Sequence, residues 1–204
     1  MLLILVRRIL FTSVDVLAAA VPLVPVMIVL NFIRFRNGRR TAAYILFGLY
    51  LAAVAALVGL PSVVYVRFGP NLNLVPFRDL AADLGNCCMN MALFVPLGIF
   101  LPCLWRKYRS LGATAFHGLC LSLTIEVMQI FVSRASDVND LIFNTAGTAV
   151  GCFLGKWLVK TLRISGRTDR DLPWVYGAVF GVMFFLQPFV SNFFWDFLLE
   201  QGIF

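Results

Sequence analysis

Charge is what this sequence lacks most. Of 204 residues, 13% are Asp, Glu, Lys or Arg, while 61% are hydrophobic and mean hydropathy is +0.90. Soluble domains carry about 25% charged residues, so the composition excludes an ordinary soluble domain and implies an integral membrane protein. Histidine is nearly absent, with His117 alone, and no Cys/His spacing suggests zinc. The five cysteines, Cys87, Cys88, Cys103, Cys120 and Cys152, are odd in number and mostly inside apolar segments, which argues against a disulfide framework and for apolar filling. No Gly-rich phosphate loop, nucleophile–base dyad, internal repeat or soluble domain is found. The expectation is therefore no cofactor, no metal and no nucleic-acid partner; the net charge of +7 asks for a topological reading instead.

What is present is a series of long apolar runs. Spans are predicted at about Val14–Ile33, Ala42–Pro61, Cys87–Leu104, Leu111–Val132, Leu141–Val159 and Pro173–Val190. Pro22 and Pro25 fall inside the first and are expected to kink it. Residues 67–86 are too polar to span, yet hold Leu72, Leu74, Val75 and Phe77, so they are expected to lie at the interface or re-enter the membrane. The tail Ser191–Phe204, rich in Phe and Trp, reads as an interfacial segment. The fold expected is an all-α polytopic membrane helix bundle of about six spans, forming a single integral membrane domain over 1–204.

The basic residues orient the bundle. Twelve of the 17 fall in the loops after the first, third and fifth spans, and five (Arg7, Arg8, Arg67, Arg78 and Arg134) fall on the other side. The first set is assigned to the cytoplasm. Both termini, the 67–86 loop and the hinge Ser133–Asp140 then face outward; the Arg7–Arg8 pair runs against this assignment.

Against this apolar background, Ser122–Gly151 (SLTIEVMQIFVSRASDVNDLIFNTAGTAVG) holds Glu126, Arg134, Asp137 and Asp140 together with Gln129 and Asn144. Ionisable residues within a span are costly and mark functional sites. Ser122, Glu126, Gln129 and Ser133 recur at spacings of four, three and four, which is one helix face. Such a stripe must face protein or water: either it glues helices together or it lines an outward cavity. Asp137 and Asp140 can cap the following helix. Arg134 can pair with Glu126 or with an Asp, or bind a phosphate or carboxylate through its planar fork. Asn90 either satisfies backbone groups freed near Pro96 or meets Glu126. Gly147, Gly151 and Gly155, four apart, read as a close helix-packing face within the chain.

These motifs, in order, resemble the VanZ-like family of bacterial membrane proteins. The blocks are Asn73-Leu74-Val75-Pro76-Phe77; Asn90 through Pro96 to Gly98; Ser122 through Ile125-Glu126 to Gln129; and Arg134, Asp137-Val138-Asn139-Asp140, Asn144 and Gly147. They make a motif core of about 71–155. Where the family often shows an acidic residue, this chain has Asn139. The resemblance implies a multi-pass protein of the bacterial cell membrane, in a family associated with resistance to glycopeptides, notably teicoplanin. Membrane lipids are the expected neighbours, and a glycopeptide antibiotic or a cell-wall lipid precursor is the partner in the first of the readings below.

The ligand-binding residues expected are Glu126, Gln129, Arg134, Asp137, Asp140, Asn144 and Asn90. Three functions stay open. The first is binding of such an amphiphile at an outward polar cavity. The second is catalysis on a lipid-linked substrate, with Glu126 as general base. The third is transport or flipping with Glu126 as a proton site.

Overall fold

The structure, a computed structural model, describes residues 2–69, 71–77, 80–164 and 169–201; of residues 2–10, 80–83 and 169 it describes the backbone alone. Pro70 and Arg78 of the central loop, Arg167 and residues 202–204 of the tail lie outside the described residues, as do the side chains of Arg7 and Arg8. The elements are α1 (Leu2–Leu30), α2 (Gly38–Val58), β1 (Asn71–Asn73), α3 (Leu80–Leu104), α4 (Leu111–Ile130), β2 (Ala135–Asp137), α5 (Val138–Thr161), α6 (Leu172–Gly181) and α7 (Gln187–Glu200). The all-α expectation holds. Among the described residues, five stretches are long and apolar enough to cross a membrane: Phe11–Phe35, Gly38–Val58, Leu84–Leu104, Leu111–Ile130 and Leu172–Glu200. The remaining expected span lies within α5. At 24 residues α5 is long enough to reach about 36 Å, but Asn139, Asp140 and Asn144 dilute its apolar character.

The chain clusters into two compact units. One, residues 1–66 and 171–204, packs α1 against α2, α6 and α7. Ala18, Ala19, Leu23 and Met27 of α1 are fully buried, as are Tyr44 and Phe47 of α2 and Val175 of α6. Helix α1 runs unbroken through Pro22 and Pro25 and widens into a π-helical turn at Asn31–Phe35. The tail departs from expectation. A π-helical turn at Val182–Leu186 joins α6 to α7, so one apolar helix runs from Leu172 to Glu200. Two of its residues are used inward: Ser191 Oγ donates to Asp15 Oδ1 at 2.6 Å, and Trp195 stacks on Phe11 at 4.5 Å, while Phe189, Phe193 and Phe197 stay exposed.

The other unit, residues 67–170, holds α3, α4 and α5. Helix α5 is central, packed against both neighbours. Toward α3 the approach is backbone to backbone. A Cβ added at Gly147 would run into the Met91 carbonyl, one at Gly151 into the Val95 carbonyl, and one at Gly98 into the Thr148 carbonyl. Only hydrogen at these positions allows helices this close, where Cα–H groups can meet carbonyls. The glycine face is thus an intrachain packing face, as its spacing predicts. Toward α4, the buried Thr148 side chain fills the space left by Gly118.

Connections fix the two ends of this unit. At one end, Ser110 caps α4 by accepting from the Ala113 amide at 3.2 Å, and Arg109 Nη2 donates to the Ile164 carbonyl just past α5 at 2.6 Å. Arg106, Lys107, Lys160 and Arg163 belong to that same end. At the opposite end the loop is shorter than the expected 67–86, because α3 already begins at Leu80. Its strand β1 pairs in parallel with β2, Asn71 to Ala135, Leu72 to Ser136 and Asn73 to Asp137. Upstream, the Arg67 and Gly69 amides donate to the Phe131 and Ile130 carbonyls at 2.7 and 3.1 Å. The loop is therefore laid along the α4–α5 connection and satisfies its backbone groups.

Candidate functional site: a polar cluster where three helices and two strands meet

Helix α4 turns Ser122, Ile125, Glu126 and Gln129 inward, all buried. The polar stripe therefore faces protein, as its spacing requires. Its expected fourth member does not belong to it. The helix ends at Ile130, and Ser133 sits in a left-handed turn (φ 54°), exposed, with its Oγ donating to the Arg67 carbonyl at 3.1 Å. The i+4 register that carried the prediction stops where the α-helix stops.

Glu126 is held from the next element. Its Oε2 accepts the Asp137 amide at 3.0 Å, while Ser136 Oγ donates to the Glu126 carbonyl at 2.8 Å. Two contacts from β2 thus lock the end of α4 to the start of α5. Asp137 and Asp140 are the charged neighbours of the Glu126 carboxylate. With only about 5% of its surface exposed, Glu126 is shut into the fold rather than presented to lipid.

Asp137 does cap α5. Its Oδ1 accepts the Asn139 amide at 2.8 Å, and its Oδ2 accepts from Asn73 Nδ2 at 2.9 Å. With both carboxylate oxygens engaged, Asp137 positions the β1 loop and the helix start together. Asp140 lies in the first turn of α5, where the helix dipole favours an anion. Its Oδ1 accepts from Asn90 Nδ2 on α3 at 2.5 Å, a partner for Asn90 that neither sequence alternative named.

One turn further along α5, Asn144 is buried between helices, with about 4% exposed. Its Nδ2 donates to Ser122 Oγ on α4 at 2.9 Å. Its Oδ1 is buried and has no hydrogen-bond partner among the described residues. Thr148, below it, returns a hydrogen bond to the Asn144 carbonyl at 2.9 Å. Six of the seven expected residues, Asn90, Glu126, Gln129, Asp137, Asp140 and Asn144, thus belong to helices α3, α4 and α5 or to β2 where they meet. The seventh, Arg134, is on the turn between α4 and β2. Its amide donates to the Gln129 carbonyl at 3.1 Å and its side chain is exposed.

Three contributors are not among the expected ligand-binding residues. Asn73 tethers Asp137; Ser136 tethers the end of α4; and Asn139, fully buried, accepts the Phe77 amide at 2.7 Å on its Oδ1. Asn139 thus does work that an acidic residue could also do, namely fixing the loop at Phe77, whose φ of 59° is left-handed. Asn73 and Phe77 are more than 60 residues from their partners, so no local periodicity reveals them. Among the described residues no group of three or more His, Cys, Asp or Glu is arranged to hold a metal ion.

Comparison with known proteins agrees with the motif pattern. A family model described as VanZ/LLP1 matches residues 47–160. Protein VanZ of Enterococcus faecium is 37% identical over 82 residues, which cover 40% of this chain and 50% of that protein. The chain thus matches about half the length of this relative. No solved structure matches it.

Proposed function

The chain belongs to the VanZ/LLP1 family, and on that premise we propose that it is a bacterial cell-envelope protein that binds an amphiphile through the polar cluster and so lowers sensitivity to glycopeptide antibiotics. The ligand is either a lipoglycopeptide drug or a cell-wall lipid precursor. One observation carries this reading: Glu126, inside an apolar helix, is joined by Asp137 and Asp140 from a different segment. Glu126 lies about one turn from the end of α4, and a carboxylate within a membrane segment is costly enough that it marks a functional-site hypothesis. Asn144 adds a buried acceptor that still needs a donor.

In this reading Glu126 and Asp140 receive amines or sugar hydroxyls of the ligand. Gln129, Asn144 and Asn90 complete the lining, and Arg134 meets an anionic group by its fork. Asp137, with both oxygens engaged, acts as a positioning residue. The cluster lies at the end of its unit opposite Arg106, Lys107, Lys160 and Arg163. By the positive-inside rule that end is the outer one, where cell-wall precursors and drugs are met.

The test is a deletion strain profiled against glycopeptides and lipoglycopeptides. It is complemented with wild type, Glu126→Gln and Asp140→Asn, with membrane levels of each checked. Wild type restores tolerance and the two variants, inserted at equal levels, do not. Equal protection by both variants refutes the reading.

A further inference from the structure

We infer that the turn between α1 and α2 is a binding site for the phosphate of an anionic phospholipid. Arg34, Arg36, Arg39 and Arg40 fall within seven residues, and all four are Arg rather than Lys. Arginine offers a planar fork that meets phosphate oxygens two at a time, which ammonium groups cannot do.

The turn is built rather than loose. The Arg36 amide donates to the Asn31 carbonyl at 2.7 Å and Arg36 itself is left-handed, φ 46°. Asn31 Oδ1 accepts twice, from the Asn37 amide and from Thr41 Oγ, each at 2.8 Å. Asn37 in turn caps α2, its Oδ1 accepting the Arg40 amide at 3.0 Å. These bonds fix the backbone from which the four guanidinium groups rise. Pre-organisation of this kind lowers the entropy cost of binding.

The guanidinium groups are also placed for a lipid. Arg34 lies over the Trp174 ring at 5.4 Å, a cation–π contact that holds it against an aromatic of the interfacial type. Phe32 and Ile33, 73% and 67% exposed, flank the arginines with apolar surface suited to an acyl chain. Asp171, just ahead of α6, is already engaged by Tyr44 Oη at 2.9 Å. Apolar flanks beside an arginine turn favour a lipid phosphate over a free one.

The experiment uses the full-length chain in detergent and native mass spectrometry. Phosphatidylglycerol and phosphatidylcholine of matched acyl chains are titrated, with inorganic phosphate as a separate competitor. Three variants are compared: all four arginines to Gln, all four to Lys, and a control carrying Arg106→Gln, Lys107→Gln and Arg163→Gln. Circular dichroism checks the helix content of each.

The expected result is preferential retention of phosphatidylglycerol, weakened at least about tenfold in the Gln variant, reduced in the Lys variant and unchanged in the control. Inorganic phosphate does not displace the lipid. If the Gln variant fails to insert, the Lys variant alone decides. Full retention by the Lys variant means diffuse charge and overturns the site. No preference between the lipids, equal loss in the control, or displacement by inorganic phosphate overturns it too.

Discussion

Glu126 illustrates how much one residue announces. A carboxylate in an apolar run is costly enough that its presence alone raises a functional-site hypothesis, and its i−4 and i+3 companions Ser122 and Gln129 were legible from spacing. Its partner was not. The Asp137 amide that bonds Glu126 depends on where α4 stops and β2 starts, and backbone donors carry no sequence signature. The Asn90–Asp140 pair was illegible for the same reason, since 50 residues separate the two. Asn90→Ala should lower the stability of the purified protein by about 1 kcal/mol, since a hydrogen bond to a charged group is lost within a membrane fold; Tm in detergent reads this. Asp137→Ala should do more damage than Glu126→Gln to the same Tm. It removes the helix cap, worth about 1 kcal/mol, together with the Asn73 tether.

Among elements, α5 depends most directly on its glycines. Adding a methyl at Gly147 forces it against the Met91 carbonyl, with no flexible side chain to move aside. Gly147→Ala should therefore destabilise by about 1–3 kcal/mol, the usual cost of overpacking. Gly177→Ala in α6, where a Cβ meets nothing within 4 Å, should be neutral or stabilising by up to about 1 kcal/mol, since alanine is the better helix former. Thermal unfolding of the two variants side by side checks both signs. The four-residue spacing showed that Gly147, Gly151 and Gly155 share a face. That α3 is what occupies the face, and that Thr148 is answered by Gly118, came from packing. Helix ends were read less well: the α3 start and the continuation through Val182–Leu186 both depend on contacts along the chain's neighbours rather than on hydropathy.

For the molecule as a whole, sidedness is an expectation from charge counting within the 67–170 unit, most of whose basic residues fall at one end while Arg67, Arg134 and the acidic cluster fall at the other. In a cysteine-free background, Leu74→Cys should react with an impermeant maleimide on intact cells, and Lys107→Cys only after permeabilisation. Gel-shift labelling reads the two positions, and the reverse pattern would place the cluster on the cytoplasmic side.

The scarcity of charge, the length of the apolar runs and the periodicity of a few polar residues determined by themselves that this is a multi-pass helical membrane protein, and which face of α4 turns inward. Those properties are local, set by side-chain transfer energies and by the geometry of a single helix. Tertiary structure alone decided that the 67–77 loop pairs with the α4–α5 connection, that Asn73, Asn90 and Asn139 answer acidic residues and amides far along the chain, and that α5 stands at the centre of its unit. Such contacts arise because buried polar groups must find partners across elements, and a donor's address in the sequence says nothing of which acceptor the fold will bring to it.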